Sequence, residues 1–286
     1  MGAKTKIDWA DATWNPVTGC LHGCEYCYAR RIAERFRPMK IYDPECQCQR
    51  HLIARGMLIG TGKPLELDYP WEQKNKDGSI TNAAYPFGFE PTFHRYKLDE
   101  PQRWKKPRNI FVCSMADLFG DWVPDEWIDA VIRSTQSALQ HRYLFLTKNP
   151  ERYDDWLERF EEGRAKGIEE VANCWFGASA STNKELDRAN ESKALWLSIE
   201  PIRERIATDE NQFVEVDPYT GRERKRWEWV VIGAETGNSK HRIVPKREWV
   251  EEIVKVCREY GTPVFMKESL RGLMDEDFRQ EFPWEE

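Results

Sequence analysis

From about residue 89 onward, short apolar runs rich in β-formers alternate with longer stretches whose apolar residues recur every three or four positions. Asn109 to Cys113, Tyr143 to Leu146, Asn173 to Gly177, Ala194 to Leu197, Trp229 to Ile232 and Thr262 to Met266 read as strands, with Phe93 to Leu98 before them. Pro124 to Gln140 reads as a helix, with Trp127, Val131 and Ala138 on one face and Asp125 and Glu126 in its first turn. Further helices follow from Pro150, a proline suited to a first turn, over 183–193, and over 247–260 with Val250, Ile253 and Val254 on one side. Strands that alternate with helices predict a parallel sheet, because parallel neighbours need a crossover.

The predicted strands are apolar, and polar residues follow each of them: Ser114 to Asp117, Thr147-Lys148, Ser179-Ala-Ser181, Ser198-Ile-Glu200, Gly233-Ala-Glu235 and Lys267-Glu268. In a β/α barrel the carboxyl ends of the strands form the reaction face, and a doubly wound open sheet binds ligands there too. No GxGxxG fingerprint favours the open sheet, and Gly60-Thr-Gly62 does not supply one. Nearer the start, Ala29 to Phe36 reads as a helix stopped by Pro38. Residues 40–88 are Gly- and Pro-rich with weak periodicity and read as an irregular insertion or lid within a single domain spanning 1–286. Residues 203–226 are a charged excursion.

The chain has 286 residues, 40% hydrophobic and 32% charged, enough for a sizeable core. No apolar run approaches the roughly 18 residues of a membrane span. Asp8 and Asp11 stand where a secretory leader would be apolar, so the expectation is a soluble, cytoplasmic protein. A net charge of −6 excludes a uniformly basic nucleic-acid coat. The local basic stretches Arg30-Arg31, Arg103 to Arg108 and Arg222 to Arg226 read as solvated surface. Most of the thirteen tryptophans are expected to serve packing.

Eight cysteines without a leader should be reduced thiols, so spacing carries the information. Cys46, Cys48, Cys113, Cys174 and Cys257 are scattered or loosely paired, whereas Cys20, Cys24 and Cys27 fall within eight residues. On a loop freed by Gly19 and Gly23, three thiolates can point into one concavity. Three cysteines on a cubane iron–sulfur cluster leave one iron without a protein ligand, free to take a small molecule. The alternative is a structural zinc in a nucleic-acid- or protein-binding module without catalysis. Zinc wants four ligands; His22 is poorly placed as the fourth, and Cys46, Cys48 and His51 would have to reach in from a distance.

Cys20-x3-Cys24-x2-Cys27, with Tyr26 just before the last cysteine, resembles the signature of the radical S-adenosylmethionine (SAM) superfamily. Trp14-Asn-Pro-Val-Thr-Gly-Cys20, Cys27-Tyr-Ala29, Phe111-Val-Cys-Ser-Met-Ala-Asp-Leu-Phe119, Leu146-Thr-Lys148, Leu197-Ser-Ile-Glu-Pro201 and Val231-Ile-Gly-Ala-Glu235 resemble landmarks of the phage-associated three-cysteine-motif proteins within it. The cysteine segment is also similar to spore photoproduct lyase-like proteins. The resemblance implies a parallel (β/α) barrel, partial to nearly closed, with six to eight strands. It implies a [4Fe–4S] cluster on Cys20, Cys24 and Cys27, SAM on the open iron, and a flavodoxin- or ferredoxin-type reductant. One electron would cleave SAM to methionine and a 5′-deoxyadenosyl radical that abstracts hydrogen from substrate. The likeness to the lyases hints at a nucleic acid or nucleotide, with peptides and small molecules left open.

By the same resemblance Tyr26 lies beside the SAM adenine. The strand-end residues Ser114, Asp117, Ser179, Ser181, Ser198 and Glu200 have the polar groups that the ammonium and ribose of SAM require, though each also suits a helix cap. Glu235 and Lys267 are assigned to substrate, with a structural ion pair as the alternative. The histidines are dispersed and form no triad or metal constellation in the sequence.

Overall fold

The computed structural model describes residues 5–38, 64–165, 167–169, 171–236 and 242–285. Its strands are β1 (Ala12–Trp14), β2 (Val17–Thr18), β3 (Leu65–Leu67), β4 (Glu72–Lys74), β5 (Ile80–Asn82), β6 (Thr92–His94), β7 (Asn109–Val112), β8 (Arg142–Thr147), β9 (Cys174–Ser179), β10 (Trp196–Ile199), β11 (Val214–Val216), β12 (Glu223–Lys225), β13 (Trp229–Ile232) and β14 (Val264–Met266). The α-helices are α1 (Tyr28–Arg35), α2 (Asp125–Thr135), α3 (Glu151–Glu161), α4 (Asn183–Asn190), α5 (Glu210–Phe213), α6 (Arg247–Glu259) and α7 (Arg271–Met274).

Seven strands form one parallel sheet in the order β1-β7-β8-β9-β10-β13-β14, the α/β arrangement that the alternating pattern predicts. That order has two ends, so among the described residues the sheet is not a closed ring. Residues 40–63 of the predicted insertion lie outside the described residues. The rest of it is less irregular than expected: β3 joins β2 and β6 in a three-stranded sheet, and β4 and β5 form an antiparallel pair. The charged excursion likewise contains α5 and the antiparallel pair β11–β12.

Contacts divide the chain into two compact units. Among the described residues, the first comprises 12–38, 64–143, 165, 167–169 and 171–173. Here β1 pairs in parallel with β7, Trp14 opposite Val112. Trp14 is fully buried, and its indole N–H donates to the Lys97 carbonyl at 2.7 Å. Helix α2 buries Trp127, Ile128, Val131 and Ile132, the face its periodicity predicts. Trp127 stacks on Phe93 of β6 with ring centroids 5.1 Å apart and donates to Glu66 at 2.6 Å, so a large apolar ring keeps its polar handle satisfied.

Among the described residues, the second unit comprises 5–11, 144–164, 174–236 and 242–285. Its core is aromatic: Trp229 of β13 touches Trp9, Trp196, Phe265, Phe282 and Trp284. Gly177 of β9 lies beneath Trp196, and a Cβ there would fall 2.2 Å from the indole, so the ring fills the space of the missing side chain. Val250, Ile253, Val254 and Cys257 make the buried face of α6. After α7 the chain returns antiparallel along β14: Met266 N–H donates to the Arg279 carbonyl at 2.9 Å and Glu281 N–H to the Val264 carbonyl at 3.0 Å. The Glu281 carboxylate accepts from Val264 N–H at 2.9 Å.

Candidate functional site

In the first unit, β2 runs directly into the three-cysteine loop. Gly19 opens it at φ +88°, its N–H donating to the Met115 carbonyl at 2.9 Å. A Cβ on Gly19 would stand 2.2 Å from the Glu90 carbonyl oxygen, so both backbone angle and space demand glycine. Gly23, at φ +71°, turns the loop between Cys20 and Cys24. Cys27 is the N-cap of α1, its Sγ accepting from Arg30 N–H at 3.3 Å. The Arg30 guanidinium donates to the Cys20 carbonyl at 3.1 Å and lies over the Phe89 ring. Cys20 and Cys27 pack against the buried Ala29, Ala33, Phe89 and Met115.

Burial pushes the Cys20 thiol up to about 12; the charges of Asp117, Cys24 and Cys27 act in the same direction, and the backbone N–H of His22 opposes them. Among the described residues, no three His, Cys, Asp or Glu side chains stand together as a formed metal set. The donors therefore fit a thiolate-held group in kind and in their shared loop, and binding would draw the sulfurs together. One observation suits an acceptor-rich guest: the Trp122 indole N–H, on a ring 4.8 Å from that of His22, is buried with no acceptor among the described residues.

The loop is tied to the segment after β7, where the predicted Ser114 and Asp117 meet His22 and two residues that the sequence did not point to, Asn15 and Tyr28. His22 Nε2 and Asp117 Oδ2 are hydrogen-bonded at 2.7 Å, and Asp117 Oδ1 accepts from Phe119 N–H at 3.1 Å. Asn15 Oδ1, between β1 and β2, accepts from the Ser114 hydroxyl at 3.2 Å and from Met115 N–H at 3.0 Å. The Tyr28 hydroxyl donates to the Ser114 carbonyl at 2.8 Å. Ser114 and Asp117 thus have partners of their own beside the loop, and Tyr26 lies within it, partly buried.

In the second unit, the predicted residues after β9, β10 and β14 fall side by side. Ser198 is in register with Ser179 on one neighbouring strand and Val231 on the other. Two residues on, and therefore on the same face, Glu200 reaches Lys267, Nζ to Oε1 2.5 Å, in a half-buried ion pair. Gly233 makes the crossing possible: a Cβ there would stand 3.0 Å from Glu200 Cγ and 3.1 Å from Lys267 Cδ. Ser198 is 1% exposed, and its hydroxyl has no hydrogen-bond partner among the described residues. Glu235 Oε2 is buried with none either.

Ser181 stands at the entry to α4, its N–H donating to Glu185 Oε2 at 2.6 Å while Thr182 caps the helix. Lys148 lies 3.9 Å from the other oxygen of Glu185. Cys46, Cys48 and His51 lie outside the described residues.

A family model described as "Protein of unknown function (DUF5131)" matches residues 4–273, and the chain belongs to that family. No curated protein and no solved structure matches it. Among the described residues, no helix is long and apolar enough to cross a membrane.

Proposed function

We propose that this chain is a radical SAM enzyme, with Cys20, Cys24 and Cys27 as the protein ligands of a [4Fe–4S] cluster. The observation that carries the reading is the cysteine loop: a three-then-two spacing, hinged at Gly19 and Gly23, with the third thiol at the N-cap of α1. When bound, such a cluster supplies one electron and an open iron to SAM. That electron would serve to split SAM into methionine and a 5′-deoxyadenosyl radical able to take a hydrogen atom from substrate, giving 5′-deoxyadenosine. The electron comes from a flavodoxin- or ferredoxin-type carrier. A partial β/α barrel belongs to the same proposal.

The chain's own residues divide the work. Phe89 and Met115 pack against Cys20 and Cys27 and cover one side of these partly exposed residues. Tyr26 is assigned to the adenine. Ser179, Ser181, Ser198 and Glu200 offer partners for ribose hydroxyls and an ammonium, and the free hydroxyl of the buried Ser198 favours a polar guest there. Ser114 and Asp117 support the cysteine loop through Asn15 and His22. Glu235 and Lys267 are assigned to the substrate, whose class stays open among a nucleic acid or nucleotide, a peptide and a small molecule.

The test is anaerobic reconstitution with iron and sulfide, followed by incubation with SAM and dithionite. The expected products are a [4Fe–4S] chromophore and 5′-deoxyadenosine, with Cys24→Ala abolishing both while leaving the circular dichroism unchanged. Protein that takes no cluster, or a cluster-loaded protein that yields no 5′-deoxyadenosine, overturns the proposal. One tightly held zinc per chain in anaerobically purified protein would favour the binding-module alternative.

A further inference from the structure

We infer that His22 and Asp117 form a tether that positions the cysteine loop for its metal group, so that Asp117 is a positioning residue rather than a ligand. The inference rests on the reading of the three cysteines as cluster ligands and deepens it by saying which thiol the contact serves. His22 is the middle residue of the Cys20–Cys24 spacer and reaches across 95 positions of sequence to Asp117. The carboxylate is only 6% exposed, and both of its oxygens are engaged: Oδ2 with His22 at 2.7 Å and Oδ1 with Phe119 N–H at 3.1 Å. It is therefore a fixed post, set by the turn after β7, rather than a mobile side chain.

The other face of the tether is also fixed. The Trp122 ring meets the His22 imidazole edge-on, centroids 4.8 Å apart and planes at 79°. Trp122 in turn occupies the space that a side chain on Gly120 would need, a Cβ there falling 2.4 Å from its ring. The imidazole is thus held by a hydrogen bond at one nitrogen and by an aromatic wall.

The consequence is unequal anchoring along the loop. Cys27 is held by α1 itself, through the bond from Arg30 N–H. Cys20 is held at the loop entrance, its N–H donating to the Phe89 carbonyl at 3.3 Å and its carbonyl accepting from Arg30 at 3.1 Å, whereas Cys24 follows His22 beyond the turn at Gly23. Without the tether, the middle thiol would lose its placement and the outer two would keep theirs. A three-point ligand set needs all three positions at once, so loss of one should slow assembly more than it affects stability.

The experiment compares Asp117→Ala, Asp117→Asn, His22→Ala and wild type in the full-length chain. In apo protein, the alkylation rate of each thiol by iodoacetamide is read by peptide mass spectrometry under native conditions. Iron and sulfide uptake and the electron paramagnetic resonance of the reduced cluster are then read after anaerobic reconstitution. Asp117→Asn keeps the shape, with its amide oxygen facing Phe119 N–H and its NH2 able to donate to His22 Nε2, and should behave like wild type.

Asp117→Ala and His22→Ala should raise the alkylation rate of Cys24 several-fold relative to Cys20 and Cys27 and lower iron uptake several-fold, with circular dichroism unchanged. His22→Ala leaves the Phe119 contact intact, so agreement between the two alanine variants separates the tether from a general loss of fold. A Cys24 alkylation rate unchanged from wild type in both variants would overturn the inference. If wild type takes up no cluster, the proposed function fails, and the alkylation pattern still decides the tether by itself.

Discussion

Replacing Gly19 by alanine should destabilise the first unit more than replacing Gly23, and the difference isolates one steric contact. Both glycines have positive φ, +88° and +71°, so both substitutions incur the left-handed cost of about 1–2 kcal/mol. Both also gain the same unfolded-state term from a stiffer chain, about 0.4–1 kcal/mol, which cancels in the comparison. Only Gly19 meets a wall. Its Cβ would lie 2.2 Å from the Glu90 carbonyl oxygen, 2.4 Å from that carbonyl carbon and 2.7 Å from Pro91 N, whereas nothing stands within 4 Å at Gly23.

Those obstacles are backbone atoms, which cannot rotate away, so relief must come from a shift of the loop or of the strand pairing beside it. Overpacking of this kind costs about 1–3 kcal/mol. At an m-value near 3 kcal/mol/M, that difference moves the urea midpoint of Gly19→Ala about 0.3–1 M below that of Gly23→Ala. Tryptophan fluorescence and far-ultraviolet circular dichroism should be followed together, because two compact units need not unfold in one step. Gly19→Ala melting at or above the midpoint of Gly23→Ala would refute the steric argument and with it the strict placement of the loop entrance.

Other outcomes follow from the same structure. His94, fully buried between Thr18 and Tyr96, is held well below the usual histidine range by burial, helped by the charge of Lys97. The unfolded chain protonates this imidazole below about pH 6.5 while the folded one stays neutral, so stability should fall by up to roughly 1.4 kcal/mol per pH unit on acidification through that window. His94→Gln should remove that part of the slope in urea melts at pH 7, 6 and 5, and identical slopes in the two proteins would contradict it. Gly177→Ala should cost about 1–3 kcal/mol by pressing on Trp196, with a changed near-ultraviolet tryptophan signal as its mark. For Glu200 and Lys267, a double-mutant cycle of Glu200→Gln and Lys267→Met should give a coupling of about 1–2 kcal/mol, between the values of surface and buried pairs. A coupling near zero would mean that the pair does not form in solution.

Strand β13 was legible residue for residue, because an all-apolar run between polar neighbours has little choice in a sheet covered on both sides. The alignment of Ser179, Ser198, Glu200 and Lys267 was legible in part: parallel strands that end in polar residues bring those residues to neighbouring positions. The opening at Gly233 that lets the ion pair cross was not, since it depends on what two other strands carry. Strands β4 and β5 escaped notice because they are three residues long and largely exposed, and so have no apolar face to betray them. β3 was missed for another reason: its partner β6 lies about 27 positions away, beyond any local period. The dispersed histidines concealed His22, whose partner Asp117 becomes a neighbour only once β7 lies beside β1. Local pattern predicts elements; it does not predict which distant side chain completes a hydrogen bond.

The returning segment at Arg279 to Glu281 has a practical meaning for anyone handling this protein. Val264, Phe265 and Met266 are apolar and buried, and an open flank on such a strand invites pairing with a second molecule. The chain's own last stretch sits on that flank like a zip fastener, outside the part matched by the family model. A protease nick ahead of Arg279 would undo it, and the shortened product would be lost as precipitate before any chemistry was assayed. Insolubility of such a fragment would then report a missing fastener, not a faulty catalyst.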